Sequence, residues 1–260
     1  MILDDIVAHT RKEVAAAQSC RPLEEVRERA EDAPAPRGFR DALRQEGISL
    51  IAEVKRASPS KGMMLPDVEA VELGALYEGA GARAISVLTD EKYFRGSLAD
   101  LTSVRQHVGI PCLRKEFIID PYQIYEARAA GADAILLIVR ILTDDQLRSF
   151  RQLATGLGMA ALVEAHNEAE ITRALDTGAH IVGINNRDLD TFEVDYNTTL
   201  KLKKKVPGGT VLVSESGIHT RQQVRELEDG GVDAILAGEA LVTSNDIRAK
   251  IRELLGLNES

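Results

Sequence analysis

One short phrase recurs four times in this chain and limits what the chain can fold into. Gly81-Ala82-Arg83-Ala84-Ile85, Gly131-Ala132-Asp133-Ala134-Ile135, Gly178-Ala179-His180-Ile181-Val182 and Gly231-Val232-Asp233-Ala234-Ile235 share one form. Each sets a Gly after a helical stretch, then a small apolar residue, a polar one and a short apolar run. The physical reading is a helix stopped by a left-handed Gly and followed at once by a buried strand. Four further apolar runs alternate with these: Ile48 to Val54, Ile110 to Leu113, Met159 to Val163 and Thr210 to Val213. Interleaved, the two sets predict eight short strands. Amphipathic stretches at Pro66 to Gly79, Pro121 to Ala130, Asp144 to Thr155, Asn167 to Thr177 and Thr220 to Asp229 predict helices between them. Parallel strands need crossover connections, so this alternation implies an α/β chain with a parallel sheet. Eight units favour closure into a (β/α)8 TIM barrel over residues 47–260. The alternative is an open doubly wound sheet. No Gly-x-Gly-x-x-Gly follows the first strand, which counts against it.

Residues 1–46 stand outside the repeat. Ile2 to Gln18 and Leu23 to Ala30 read as helices, Ala33 to Gly38 as a connector, and Phe39 to Gln45 as a further helical turn. Their regular Ile, Val and Leu spacing favours an N-terminal helical extension packed on the barrel over the alternative of a loose, partly disordered arm. The net charge of −9 argues against a broad nucleic-acid footprint but permits a local basic pocket for a small anion. Cys20 and Cys112 form no paired spacing and no metal motif, so a reducing, cytoplasmic compartment is expected. Met1 to Val14 carries charges of both signs, unlike a signal peptide. No apolar run approaches the roughly 18 residues of a membrane span.

In such barrels the active site lies at the C-terminal ends of the strands. Reading those ends turns a linear list into a pocket. The first strand ends in Glu53-Val54-Lys55, the third in Arg114-Lys115-Glu116, the fifth in Glu164, the sixth in Asn185-Asn186-Arg187. The seventh ends in Glu215-Ser216-Gly217 and the eighth in Gly238-Glu239. A single Glu–Lys pair at a strand end is often a structural salt bridge. Two lysines and two carboxylates on one rim, with an amide beside them, point instead to acid and base roles. The loops after strands seven and eight carry Gly217 and Gly238, suited to close approach of a phosphate, although turn geometry alone also asks for glycine. Ser58 to Gly62, after the first strand, adds hydroxyls and a cation that suit either a closing phosphate loop or a plain surface turn.

These residues resemble the indole-3-glycerol-phosphate synthase family of tryptophan biosynthesis, over nearly the whole chain. The resemblance rests on Ile51-Ala52-Glu53-Val54-Lys55-Arg56-Ala57-Ser58-Pro59-Ser60, Leu113-Arg114-Lys115-Glu116-Phe117, Ile184-Asn185-Asn186-Arg187-Asp188-Leu189 and Ser214-Glu215-Ser216-Gly217-Ile218. Glu116 stands where Asp is more usual. The resemblance implies a lyase that closes the ring of 1-(2-carboxyphenylamino)-1-deoxyribulose 5-phosphate, releases carbon dioxide and then water, and leaves indole-3-glycerol phosphate. It implies no metal and no organic cofactor. It makes Lys115 the acid at the ketone oxygen, and it leaves Glu164 and Lys55 to share the dehydration in an order it does not fix. Glu53 orients Lys55, Asn185 binds substrate oxygens, and Ser216 lies near the substrate hydroxyls. Ser58, Gly217 and Gly238 take the phosphate, Arg187 the anthranilate carboxylate or the rim, and Glu215 and Glu239 complete the binding set. The expected partner is a phosphosugar substrate, with no nucleic acid and no membrane, and the expected state is a monomer. Phosphoribosylanthranilate isomerase is a rival that would want Cys at the first strand end. A Schiff-base aldolase using Lys115 and a non-catalytic phosphate sensor on the same fold are the others.

Overall fold

The computed structural model describes residues 2–58, 62–64, 68–188, 191 and 193–257. Eight strands form the sheet: β1 Ser49–Val54, β2 Ala84–Leu88, β3 Cys112–Lys115, β4 Ala134–Ile138, β5 Ala160–Ala165, β6 Ile181–Asn185, β7 Val211–Glu215 and β8 Ala234–Ala237. Each pairs in parallel with its sequence neighbour, and β1 pairs with β8, so the sheet closes. The four repeat glycines all take positive φ, from +76° to +113°, as a helix stop requires. The fold is therefore a (β/α)8 TIM barrel.

Local chemistry starts the crossover helices. Thr143 and Thr220 cap their helices by accepting from the backbone of Gln146 and Gln223, whose side chains reach back to the cap. Asp120 does the same with Gln123, and Pro121 sits at the first helical position, where its missing N–H costs nothing. Several boundaries differ from the sequence reading, two of them at prolines. β3 begins at Cys112 rather than Ile110, because Pro111 has no N–H to give the ladder. Its carbonyl still accepts from Ile85 N at 3.0 Å. The helix expected from Pro66 runs Ala70–Ala80, with residues 65–67 outside the described set.

The extension has three helices: α1 Ile2–Cys20, α2 Leu23–Asp32 and a short α3 Phe39–Ala42. Phe39 and Leu43 are fully buried in the inner barrel cluster with Ile51, Leu113 and Ile181, and so plug the N-terminal end of the barrel. The connector is pinned by Asp133, whose carboxylate accepts from Arg37 N at 2.7 Å and Cys112 N at 2.7 Å and pairs with Arg105 at 2.9 Å. α1 packs near the opposite end. Tyr122 Oη donates toward Ala17 O at 3.2 Å and Arg21 O at 3.1 Å, and His9 meets the Tyr93 ring edge-on at 5.8 Å.

Candidate active site

Strand alternation delivers the site. Ile51, Leu113, Leu162, Ile181, Val213 and Leu236 pack together inside the barrel. Residues two positions on point to the same face, and these are Glu53, Lys115, Glu164, Gly183, Glu215 and Gly238. One step further bring Lys55 after Glu53 and Asn185 after Gly183. An aliphatic layer thus gives way to a charged one along the same inward face.

Lys115 is the centre of that layer. Its Nζ lies 3.7 Å from Glu215 Oε2, 3.8 Å from Glu164 Oε2 and 4.0 Å from Glu53 Oε2. Lys55 Nζ lies 3.2 Å from Glu53 Oε1, so the charge pair two residues apart on β1 is an ion pair at the pocket floor. The carboxylates are the deeper groups, at 5%, 2% and 1% exposure for Glu53, Glu164 and Glu215. The Lys115 and Lys55 side chains are 16% and 17% exposed, so both ammonium groups border the open pocket. Gly183 makes the depth possible. A Cβ there would overlap Glu215 Oε1, and it would come within 3.1 Å of Leu162 Cδ1.

The charges set one another's protonation. For Lys115 burial favours the neutral amine, but Glu164, Glu215 and Glu53 outweigh it and hold the ammonium well above its ordinary range. Burial also opposes ionisation of Glu53 and Glu164. Lys55 and then Lys115 nevertheless keep Glu53 below its usual value. Lys115, His166 and an Asn185 hydrogen bond pull Glu164 down to about 2. Glu215 goes the other way, to about 8, pushed by burial and by the charge on Glu164 against the pull of Lys115. Neither of its carboxyl oxygens accepts a hydrogen bond among the described residues. Neighbouring carboxyls with opposed shifts are the arrangement from which acid and base roles are drawn.

The surrounding loops are held by polar contacts. Asn186 donates to Ser214 Oγ and Ser216 O, both at 3.0 Å, and accepts from Thr199 Oγ1 at 2.8 Å. This ties β6 to β7 and fixes Ser216, which has φ +70° and is one of two non-glycine residues in that region among those described. Gly217 has φ +75°, and a Cβ on it would overlap Val194. A Cβ on Gly238 would come within 2.7 Å of Glu53 Oε1. Both glycines therefore have packing reasons of their own. Arg187 pairs with Glu239 at 3.5 Å across the pocket mouth. Arg56 holds the start of the loop after β1 through two bonds to Asp100, at 2.8 and 2.9 Å. Of that loop, Pro59, Ser60 and Lys61 lie outside the described residues, as does the Ser58 side chain.

The pocket above this layer encloses about 180 Å³ and has one apolar wall. Ile2, Leu3 and Ile6 of α1 contribute to it, with Leu136, Phe94 and Phe117. The last two rings stand 6.2 Å apart. Sequence reasoning missed this use of α1, because spacing shows which helix face is buried but not against what. It also missed His166 and Glu170 beside Glu164. The signal available was the i, i+2 spacing of Glu164 and His166, the same spacing that drew attention to Glu53 and Lys55. Glu116 is buried but turns to Thr89, which donates at 2.5 Å, and to Phe117 N at 2.9 Å. Its carboxyl is pushed up by burial, against the pull of Arg114.

A closed (β/α)8 barrel with a caged ammonium and opposed carboxyls at the strand C-termini defines an acid–base enzyme of the TIM-barrel class. The family model described as Indole-3-glycerol phosphate synthase matches residues 3–254. A relative of that name from Lacticaseibacillus paracasei is 51% identical over 255 residues, spanning 96% of this chain and 97% of its own. Another, from a Roseiflexus species, is 50% identical over 264 residues and spans 98% of both chains. The chain belongs to the indole-3-glycerol phosphate synthase family, decarboxylating lyases of tryptophan biosynthesis. More distant likenesses are of fold alone. A solved 3-hexulose-6-phosphate synthase has TM-score 0.65 at 16% identity, covering 80% of this chain and 99% of its own. A phosphoribosylanthranilate isomerase from Thermotoga maritima has TM-score 0.58 at 13% identity, covering 82% and 98%.

Proposed function

We propose that this chain converts 1-(2-carboxyphenylamino)-1-deoxyribulose 5-phosphate to indole-3-glycerol phosphate by general acid–base catalysis. The observation that carries the reading is the Lys115 ammonium held between carboxylates from β1, β5 and β7 at 3.7 to 4.0 Å. In ring closure the aromatic carbon attacks the ketone, and the ketone oxygen becomes an alkoxide. Lys115 donates there. Its neighbours keep it protonated, yet an alkoxide is a far stronger base than an amine, so transfer to it runs downhill. Loss of carbon dioxide then restores the electron pair to the new ring.

Dehydration needs a proton delivered to the departing hydroxyl and one removed from the ring. Glu164, ionised and facing the pocket, and Lys55 share these two tasks. Glu53, 3.2 Å from Lys55 Nζ, aims it and keeps it charged. Lys55 holds the substrate carboxylate until carbon dioxide leaves. Asn185 and Ser216 bind substrate oxygens, and Glu215, with its carboxyl near half-protonation around pH 8, donates to a substrate hydroxyl. The phosphate lies against Ser58, Gly217 and Gly238. Arg187 and Glu239 form the rim, Arg187 toward the anthranilate carboxylate. The apolar wall that includes Phe94 and Phe117 takes the aromatic ring. The chain acts as a cytoplasmic monomer, and no described helix is long and apolar enough to cross a membrane.

The test is direct. Purified protein, substrate and a chelator are mixed and indole emission is followed. Metal-independent product formation supports the reading, and no product from folded protein refutes it. Borohydride treatment in the presence of a carbonyl substrate separates the aldolase alternative, since a trapped Lys115 adduct would favour a Schiff base.

A further inference from the structure

His166 lies immediately beyond β5, two residues after Glu164, with a side chain only 9% exposed. It is clamped from the far side by Glu170, in the first turn of the helix Glu168–Asp176. Glu170 Oε2 accepts from His166 N at 2.8 Å and lies 3.0 Å from His166 Nδ1. Glu170 Oε1 accepts from Asn167 Nδ2 at 3.0 Å, while Asn167 caps the same helix by accepting from Glu170 N at 3.0 Å. An ionised carboxylate only accepts, so Nδ1 carries a hydrogen. The other ring nitrogen, Nε2, lies at an ion-pair distance of 3.4 Å from Glu164 Oε1 and makes no hydrogen bond among the described residues. A bare Nε2 lone pair facing a carboxylate would be repulsive. A proton on Nε2 turns that repulsion into an ion pair.

We propose that His166 is a positioning residue for the acid–base step: clamped by Glu170, it holds a proton on Nε2 against Glu164 and so fixes that carboxylate ionised and aimed at Lys115. This rests on the role given to Glu164 above. The groups packed around the pair act in both directions: Lys115 and Asn185 favour the Glu164 carboxylate, and the like charges of Glu53 and Glu215 oppose it. Glu164 faces Lys115 from β3, Asn185 from β6, Glu215 from β7 and Glu53 from β1. His166 faces carboxylates, namely Glu164 on its own strand, Glu170 on the following helix and Glu215 on β7. Burial would favour the neutral ring, but the two flanking carboxylates raise the imidazolium to about 10. When Glu164 takes a proton from the substrate, it becomes a neutral acid beside a cation. That acid returns its proton readily, because the imidazolium and Lys115 both favour the ionised form. The arrangement parallels the carboxylate that orients a catalytic imidazole, with the roles exchanged.

Two measurements decide it. The first is 15N NMR of the wild-type imidazoles between pH 5.5 and 8.5. His166 should keep imidazolium shifts throughout, and Glu164→Gln should bring its titration into that window. The second compares kcat and KM against pH for wild type, His166→Gln and Glu170→Gln. Both variants should lose roughly tenfold or more in kcat, a fraction of the ~10²–10⁴ an acid–base group supplies. KM should stay near wild type, and the acid limb of kcat/KM should move to higher pH, because Glu164 loses the cation that keeps it ionised. His166→Lys, which restores a cation, should recover part of the acid-limb shift. A neutral His166 ring at pH 7, or a folded His166→Gln with unchanged kcat and acid limb, overturns the proposal. If wild type does not turn over the substrate, the reading of the reaction fails, and the NMR result alone then decides whether the clamped pair exists.

Discussion

Replacing Lys115 by Met tests the logic of the site most sharply. Met nearly conserves volume but removes a cation that Glu53, Glu164 and Glu215 all face within 4.0 Å. Breaking a buried ion pair costs about 3–5 kcal/mol when the remaining charge stays uncompensated. Here the remaining groups can escape by taking up a proton. In the wild type Glu164 is ionised in native and unfolded states alike across neutral pH, since its native value is about 2 against about 4.3 in the unfolded chain. Glu215, at about 8, already holds a proton in the native wild type at neutral pH, so the variant matters through the further proton, about one, that its native cluster binds beyond the wild-type cluster. Stability then changes with pH as the unfolded minus the native proton count, at about 1.4 kcal/mol per unit. The sign is negative, so the variant loses ground to wild type as pH rises above the unfolded carboxyl value. A deficit of about 3–5 kcal/mol at pH 7 should shrink to roughly 1–2 at pH 5. Domains of ordinary stability, about 5–15 kcal/mol, survive this. Turnover should not survive, because loss of the acid costs about 10²–10⁴ in rate. Urea titrations followed by circular dichroism at pH 5, 6, 7 and 8, beside wild type, measure the first effect, and indole fluorescence measures the second. A deficit that is flat or grows toward low pH would refute the proton bookkeeping. Turnover within tenfold of wild type would remove Lys115 from the acid role.

Glu53→Gln should lower turnover roughly hundredfold and leave product affinity near wild type; a loss confined to affinity would contradict its place in proton handling. Gly183→Ala should drive the Glu215 carboxylate from its place beside Lys115, because the added Cβ overlaps Oε1. A crystal structure should show the displaced side chain, urea titration a loss of about 1–3 kcal/mol, and kinetics a fall in turnover; an unmoved Glu215 would show that the strand yields instead. Asp133→Asn, at the opposite end of the barrel, should cost about 3 kcal/mol through its buried pair with Arg105 while kcat stays near wild type, and a fall in kcat without a fall in stability would show the two ends to be coupled.

The barrel was legible because its signal is local and repeated. A left-handed Gly after each helix and an aliphatic run after each Gly state the strand count without any tertiary knowledge. The charged layer was legible through the same alternation, since Glu53, Lys115, Glu164 and Glu215 each stand two residues beyond an inward aliphatic one. What escaped needs contacts between elements far apart in sequence or a side chain folding back on its strand. Ile2, Leu3 and Ile6 look like the buried face of any amphipathic helix, and only the packing of α1 shows that they border the pocket. Glu170 reads as an ordinary capping residue until its carboxylate is seen to serve His166 as well. Gly238 read as a phosphate loop, and the fold gives it a further duty in clearing space for Glu53.

The two ends of the barrel divide their work by what they bury. At the N-terminal end Asp133 is fully buried, and its carboxylate is satisfied by Arg37, Cys112 and Arg105, beside the apolar plug of Phe39 and Leu43. At the C-terminal end Glu215 is equally buried and accepts no hydrogen bond among the described residues. Stability alone would not keep it there, since aliphatic residues of similar size commonly serve a barrel interior as well as or better than buried charges. The aliphatic layer beneath, of Ile51, Leu113, Leu162 and Val213, offers a proton no group to rest on. Glu53, Glu164 and Glu215 must then exchange protons with one another, with the two lysines and His166, or with whatever occupies the pocket. A site closed in this way passes its protons to the substrate it encloses, and a reaction that needs a proton given and another taken in the same place is the kind it serves.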